Sequence, residues 1–160
     1  MTLRCTAKLL KRLRLPVHPS SSTPTTKLGD WTAHLLFARH GQIVLCVSER
    51  TLLPVLLPGR DIATLIPRFR EAVRVMLDAI GVPAEKIQRE LDSMAEVAIG
   101  KTNSRRVLGS LNDFVRLAES FLGDVTSLLD VSLRLADAPC SPIGMESPRR
   151  ATLRAFATGE

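Results

Sequence analysis

Tyrosine is absent from the chain, tryptophan occurs once, and aromatic residues make up 4% of the sequence. Readers of single-stranded nucleic acid ordinarily display several stacking rings, so this scarcity argues against base stacking. Phe37, Phe69, Phe114 and Phe121 fall at apolar positions and are expected in the core. Any nucleic acid is then held by its backbone charge. Cysteine is also scarce. Cys5, Cys46 and Cys140 are widely spaced, odd in number and form no CxxC pair, which argues against a disulfide framework or a zinc knuckle. Cys46 lies in the apolar run Ile43–Val47 and is expected to be buried as a small hydrophobe. The longest apolar stretches, such as Leu52–Leu57, are far too short to span a bilayer, so no membrane partner is expected. His18, His34 and His40 have no HxxxH or HxxE partner, and no GxSxG occurs. The sequence thus implies no metal and no cofactor, and it offers no obvious nucleophile or general base.

What remains is enough for one folded domain. A chain of 160 residues that is 45% hydrophobic can bury a real core. The net charge is +6, and its distribution is uneven. Residues 1–29 hold Arg4, Lys8, Lys11, Arg12, Arg14 and Lys27 with no acid, and the rest of the chain is electrically balanced. Such a local excess attracts phosphate-bearing or acidic partners without specifying them. The same segment is Ser/Thr-rich at Ser20–Thr26, and Lys8–Leu15 can form a basic amphipathic helix. Those are also the marks of a transit peptide. The rival reading makes Thr2–Cys5 a first strand, Lys8–Leu13 a short helix and Pro16–Lys27 a loop.

Periodicity predicts an α+β fold: a small, mainly antiparallel sheet in the N-terminal half packed against about four helices in the C-terminal half. Trp31–Ala38 reads as a strand ending in a turn at Arg39-His40-Gly41, and Ile43–Val47 as a buried strand. Thr51–Leu57 reads as a third strand, placed at an edge because Pro54 cannot donate a ladder hydrogen bond. Asp61 can cap a short turn, and Pro67 suits the first position of a helix that buries Phe69, Val73, Met76, Leu77 and Ile80. Pro83 opens a second helix through Met94. Glu96–Ile99 is a short strand or a frayed helix end, and Gly100–Asn103 a loop. Ser104 caps a third helix, Arg105–Leu122. A fourth spans about Val125–Ala136, and Arg149–Phe156 forms a short terminal helix. Residues 1–145 are expected to form the single domain and 146–160 an extension.

The best candidate site is Gly100-Lys101-Thr102-Asn103-Ser104-Arg105-Arg106 with Asn112 and Asp113. Free N–H groups and the helix dipole favour anions at a helix start. Arg105, Gly109, Asn112 and Arg116 share one helix face, and the glycine lets a partner come near. Only Gly-Lys-Thr of a P-loop is present, so the nucleotide-binding spacing is missing. A capped, solvated helix would carry the same residues for structural reasons alone. Glu49 and Arg50, directly after a buried strand, can bind a ligand or hold the strand end as an ion pair.

Several stretches resemble a bacterial family catalogued only as a domain of unknown function. They are Leu28-Gly29-Asp30-Trp31 through Leu35-Leu36-Phe37, Val44 through Pro54, Gly100 through Arg105, Val107 through Phe114, and Pro139-Cys140-Ser141-Pro142-Ile143. Leu3-Arg4-Cys5-Thr6 with Lys8-Leu9-Leu10 is similar to that family's start. The resemblance covers nearly the whole chain. It implies serine and methionine where Arg106 and Leu111 stand, a departure on the proposed face. It implies that residues 1–29 belong to the mature fold and that the setting is the bacterial cytoplasm, and it supplies no catalytic residues. The expected function is a binding module that contacts nucleic acid or an acidic protein through the basic N-terminal segment and the Lys101–Arg106 helix start. The alternatives are an enzyme acting on a phosphorylated small molecule or nucleotide, with Glu49, Arg50, Arg105, Asn112 and Asp113 in one pocket, and a protein–protein module pairing through the Pro54 edge strand.

Overall fold

The structure is a computed structural model and describes residues 1–19, 23–39, 41–123 and 127–159. Its first strand, β1 (Thr2–Cys5), alternates as the sequence predicts. Leu3 and Cys5 enter one core, while Thr2 and Arg4 turn to the other face. Helix α1 (Ala7–Leu13) follows at once and buries Leu9 and Leu13. Strand β2 (Trp31–Ala38) pairs with β1 in parallel. β3 (Gly41–Ser48) and β4 (Pro54–Pro58) continue the sheet as an antiparallel meander. A short 3₁₀ turn at Ile62–Thr64 leads into α2 (Leu65–Ala79), then α3 (Ala84–Ser93). The chain then returns as β5 (Ala98–Lys101), parallel to β1 on its free side. Helices α4 (Arg105–Leu122), α5 (Leu128–Ala136) and α6 (Pro148–Ala157) complete the described elements.

The strand order is β4-β3-β2-β1-β5. The fold is α+β, but the sheet is mixed rather than mainly antiparallel, because β1 is parallel to both neighbours. Strands are read from local alternation, whereas parallel pairing joins segments far apart in sequence and leaves no local mark. β5 shows the same difficulty. Gly100 and Lys101 were expected in a loop, yet they pair with Arg4 and Cys5. A Cβ at Gly100 would stand 2.8 Å from Thr2 Cγ2, so the close approach of these strands requires glycine.

The third strand begins later than expected because Ser48–Leu53 folds into a turn. Leu52 takes φ 57°. Ser48 Oγ accepts the Leu53 N–H at 2.9 Å and lies 3.0 Å from Thr51 Oγ1. Pro54 therefore opens an edge strand, a position where its missing N–H costs nothing. That edge is not open: the Leu56 N–H donates to Ser132 Oγ of α5 at 3.0 Å. Asp61 precedes the 3₁₀ turn with φ 53° and makes no side-chain cap, and Pro67 is the third residue of α2 rather than its first. The fourth helix is described from Leu128; Val125, Ser20–Ser22 of the expected loop and His40 of the expected turn lie outside the described residues.

Helices cover both faces of the sheet. On one, Leu3, Trp31, Ala33 and Leu35 meet α1, α2 and α3. The Trp31 and Phe69 rings pack edge to face, 5.2 Å apart at 78°. This adds about 0.5–1.5 kcal/mol to their area burial. On the other, Leu45 and Val47 meet Val107, Leu111 and Phe114 of α4 and Val131 and Leu135 of α5. Phe156 of α6 reaches the first core, and Thr152 Oγ1 donates to Thr51 Oγ1 at 2.8 Å. No helix among the described residues is long and apolar enough to cross a membrane.

Candidate functional site

Helix α4 starts as its sequence predicts. Ser104 Oγ accepts the Val107 N–H at 3.3 Å. Three turns follow in which Arg105, Gly109, Asn112 and Arg116 share a face. With Arg106 and Asp113 this face lines a groove of about 700 Å³, closed on its far side by Ala138–Pro142. Among the described residues the side chains of Arg105, Asn112, Asp113 and Arg116 have no hydrogen-bond or ion-pair partner. Gly109 is mid-helix, and a Cβ there would meet nothing within 4 Å. Its helix penalty of about 1 kcal/mol relative to alanine therefore has no local packing reason. Burial, together with the nearby charge of Asp113, pushes the Cys140 thiol up.

Of the other expected site residues, Arg106 alone lines the groove, and it does so with its guanidinium already committed. Arg106 is a staple: its Nη1 donates to the Glu49 carbonyl at 2.7 Å and its Nη2 to the Pro142 carbonyl at 3.5 Å. Lys101, Thr102 and Asn103 lie outside the groove lining. The Glu49 carboxylate accepts from Arg4 Nε at 3.2 Å, not from Arg50. Arg50 Nη1 donates to the Thr26 and Lys27 carbonyls, both at 3.3 Å. Glu49 thus reaches α4 through its backbone only.

Arg4, Asp30 and Glu90 were not singled out in the sequence, and they hold the buried polar structure. Arg4 is 5% exposed and Asp30 2%. Arg4 Nη2 donates to Asp30 Oδ2 at 2.9 Å, and the Thr2 N–H donates to Asp30 Oδ1 at 2.8 Å. Arg4 Nη1 is buried with no partner among the described residues. Glu90, 3% exposed, accepts the Lys27 N–H at 2.8 Å and the Leu28 N–H at 3.1 Å. Burial pushes its carboxyl above the ordinary range, against the pull of those two N–H groups and of Arg50 and Lys27. Together they clamp residues 26–30, where Gly29 takes φ 80° and a Cβ would press on Arg50 Cγ at 3.1 Å. The stretches Leu28-Gly29-Asp30-Trp31 and Ser48-Glu49-Arg50-Thr51 thus supply structural contacts to one another. The sequence hint was the lone acid Asp30 between a glycine and a strand.

A second polar region forms at the tip of the β2–β3 hairpin. Phe37, expected in the core, is 57% exposed. It continues the face of Trp31, Ala33 and Leu35, but the helical cover stops short of it. Lys8 Nζ of α1 lies 4.2 Å from the Phe37 ring centroid. Gln42 faces Phe37 across the hairpin and accepts from Arg12 Nη2 at 2.7 Å. The Gln42 carbonyl accepts the Gly59 N–H at 2.8 Å, which brings in the turn after β4. There Arg68 donates to the carbonyls of Pro58, Arg60 and Asp61. Lys8, Arg12, Arg39, Arg60 and Arg68 thus come to one end of the sheet from three separate segments. Glu71, one turn beyond Arg68, is already paired with Arg74 at 2.7 Å. His34, whose Nδ1 lies 3.0 Å from Thr6 Oγ1, is pushed down by burial and by Lys8. Among the described residues no three of His, Cys, Asp and Glu stand together to hold a metal ion.

A family model spans residues 2–151. The chain belongs to that family, described as Domain of unknown function (DUF6933). The DUF6933 match runs from β1 into α6, so it takes in the Arg4–Asp30–Glu49 cluster, the hairpin tip and the α4 groove alike. It agrees with the resemblance carried by the Leu28–Phe37, Val44–Pro54 and Gly100–Phe114 stretches. No curated protein and no solved structure matches the chain.

Proposed function

We propose that this DUF6933 chain is a cytoplasmic binding module whose ligand is nucleic acid, held at the hairpin end of the sheet. One observation carries the reading: Lys8 sits over the exposed Phe37 ring and Arg12 bonds the neighbouring Gln42, at the end of the sheet where the hairpin and the β4–α2 turn also meet. The N-terminal charge excess supplies Lys8, Lys11 and Arg12, and the fold adds Arg39 and Arg60, the latter in the turn that Arg68 holds together. Not all N-terminal cations take part. Arg4 is internal, and Lys27 Nζ donates to the Ala155 and Thr158 carbonyls at the end of α6. A patch of this kind neutralises phosphates, so affinity falls with salt at a slope set by the number of contacts. The test is fluorescence anisotropy with a labelled oligonucleotide across a salt series. Wild type is expected to bind with a steep salt slope, and Lys8→Glu with Arg12→Glu to lose at least about tenfold in affinity. Equal binding by the charge-reversed variant would remove the proposal.

The α4 groove favours a second reading, an acidic protein segment lying against Arg105 and Arg116. Its specific support is Gly109, which leaves open space on the groove side of α4. Arg105→Ala and Asn112→Ala should then weaken capture of an acidic peptide. The enzyme alternative draws less support, because Glu49 and Arg50 are both committed to structural contacts away from Asn112.

A further inference from the structure

We infer that the nucleic acid taken at the hairpin end is single-stranded, with an unpaired base stacking on the Phe37 ring. The inference rests on the nucleic-acid reading above and adds to it the form of the ligand.

Phe37 is an aromatic ring with more than half its surface in water, at a strand position whose alternation otherwise fills the core. Lys8 Nζ sits over one side of the ring, 4.2 Å from its centroid, and more than half of the residue stays open to solvent. A ring flanked by cations offers a base two things at once. Its face takes the base plane, and Lys8, Arg12 and Arg39 meet the phosphates on either side. Every base has a π face, so such a platform tolerates sequence but not pairing. In a duplex the bases are already stacked on one another, and a single exposed ring gains nothing from them without unstacking a step. Gln42, opposite Phe37 in the register, adds an amide beside the ring. Its Oε1 is taken by Arg12, which leaves the amide N–H groups as donors to a base edge or phosphate.

The test compares a single-stranded oligonucleotide, as RNA and as DNA, with a duplex of the same length, using the intact chain. Wild type should prefer the single strand. Phe37→Ala should lower single-strand affinity roughly five- to a hundredfold, leave duplex affinity unchanged and leave the melting temperature unchanged. Phe37→Trp should keep the affinity and report contact directly. Trp31 is fully buried, so quenching of the variant's added fluorescence on binding comes from position 37. Equal affinity of Phe37→Ala and wild type, or equal affinity for single strand and duplex, would overturn the stacking inference while the charge reading stood. Loss of all discrimination between wild type and Lys8→Glu with Arg12→Glu would overturn both.

Discussion

At Arg4 a buried carboxylate, a partly exposed one, one strand N–H and a glycine meet around a buried guanidinium. Asp30 serves the guanidinium with one oxygen and the Thr2 backbone with the other. Asp30→Ala therefore leaves a buried cation short of its main counter-charge and a buried donor without an acceptor. Removing one partner of such a pair costs about 3–5 kcal/mol, far more than the pair adds over an apolar replacement. Urea unfolding should show that loss as a lower midpoint with an unchanged slope, and a variant as stable as wild type would contradict the arrangement. By contrast, Arg105→Ala and Asn112→Ala should each stay within about 0.5 kcal/mol, since neither side chain has a partner in the described structure. Glu90 carries a pH signature. Its folded pKa is raised by burial, so between the ordinary glutamate range and that raised value the folded chain keeps a proton the unfolded chain has lost. Stability contributed through Glu90 is then greatest below the ordinary range and falls as pH rises through this interval. Glu90→Gln has no such proton, so the stability of wild type relative to the variant should decline over the same interval. Parallel pH profiles for the two chains would exclude it.

Among the elements, β1 holds the most unusual position for four residues at a chain start. It is hydrogen-bonded on both sides, parallel to β2 and to β5, and Leu3 is fully buried. Deleting residues 1–14 removes this strand and α1 together. It exposes the facing edges of β2 and β5, and circular dichroism should show a chain without a cooperative melt. A truncated chain melting like the intact one would mean that these residues are dispensable. Gly109→Ala should go the other way. Its Cβ meets nothing and the backbone is helical, so α4 and the whole chain should gain about 0.5–1 kcal/mol, read as a higher unfolding midpoint. The helices were largely legible in the sequence, because capping and apolar period are local: α4 runs from Arg105 to Leu122 behind the Ser104 cap, although its buried stripe is Val107, Leu111, Phe114 and Ala118 where the sequence pattern reads Leu108, Leu111, Val115, Ala118 and Leu122. The sheet was legible only as separate strands. Nothing near Gly100 or Lys101 announces a partner almost a hundred residues earlier, and glycine in a short strand reads as a loop until Thr2 is seen pressing on it.

For the molecule as a whole, the fold sorts side chains that composition treats alike. Six cations in residues 1–29 looked like one patch, yet Arg4 is drawn into the interior and Lys27 to the end of α6. Arg39 and Arg60 stand at the same end of the sheet only because β3 and β4 double back there, with the Gly59 N–H bonded to the Gln42 carbonyl. The candidate site was thus visible in sequence as charge, while Phe37 was hidden because its apolar alternation is that of a core residue. The three cysteines are sorted in the same way and give a reading of global opening. Burial pushes the Cys5 thiol to about 12 and raises Cys46 well above its ordinary value. Both are about 1% exposed and lie on the inner face of the sheet, in the first core. Only thiolate reacts with an alkylating reagent, and only where the reagent can enter. Cys140 is half-buried in the groove wall, with its pKa raised by burial and by Asp113, so it should react slowly at pH 8 in the native chain and faster in Asp113→Asn. Cys5 and Cys46 should resist until the chain unfolds, and then react together, because no small motion frees one face of a sheet covered by three helices. Mass spectrometry of chains labelled in rising urea should show one added label at first and three across the unfolding transition. Separate labelling of Cys5 well below that transition would show that β1 opens on its own, and the strand could not then be the anchor that its two parallel pairings make it.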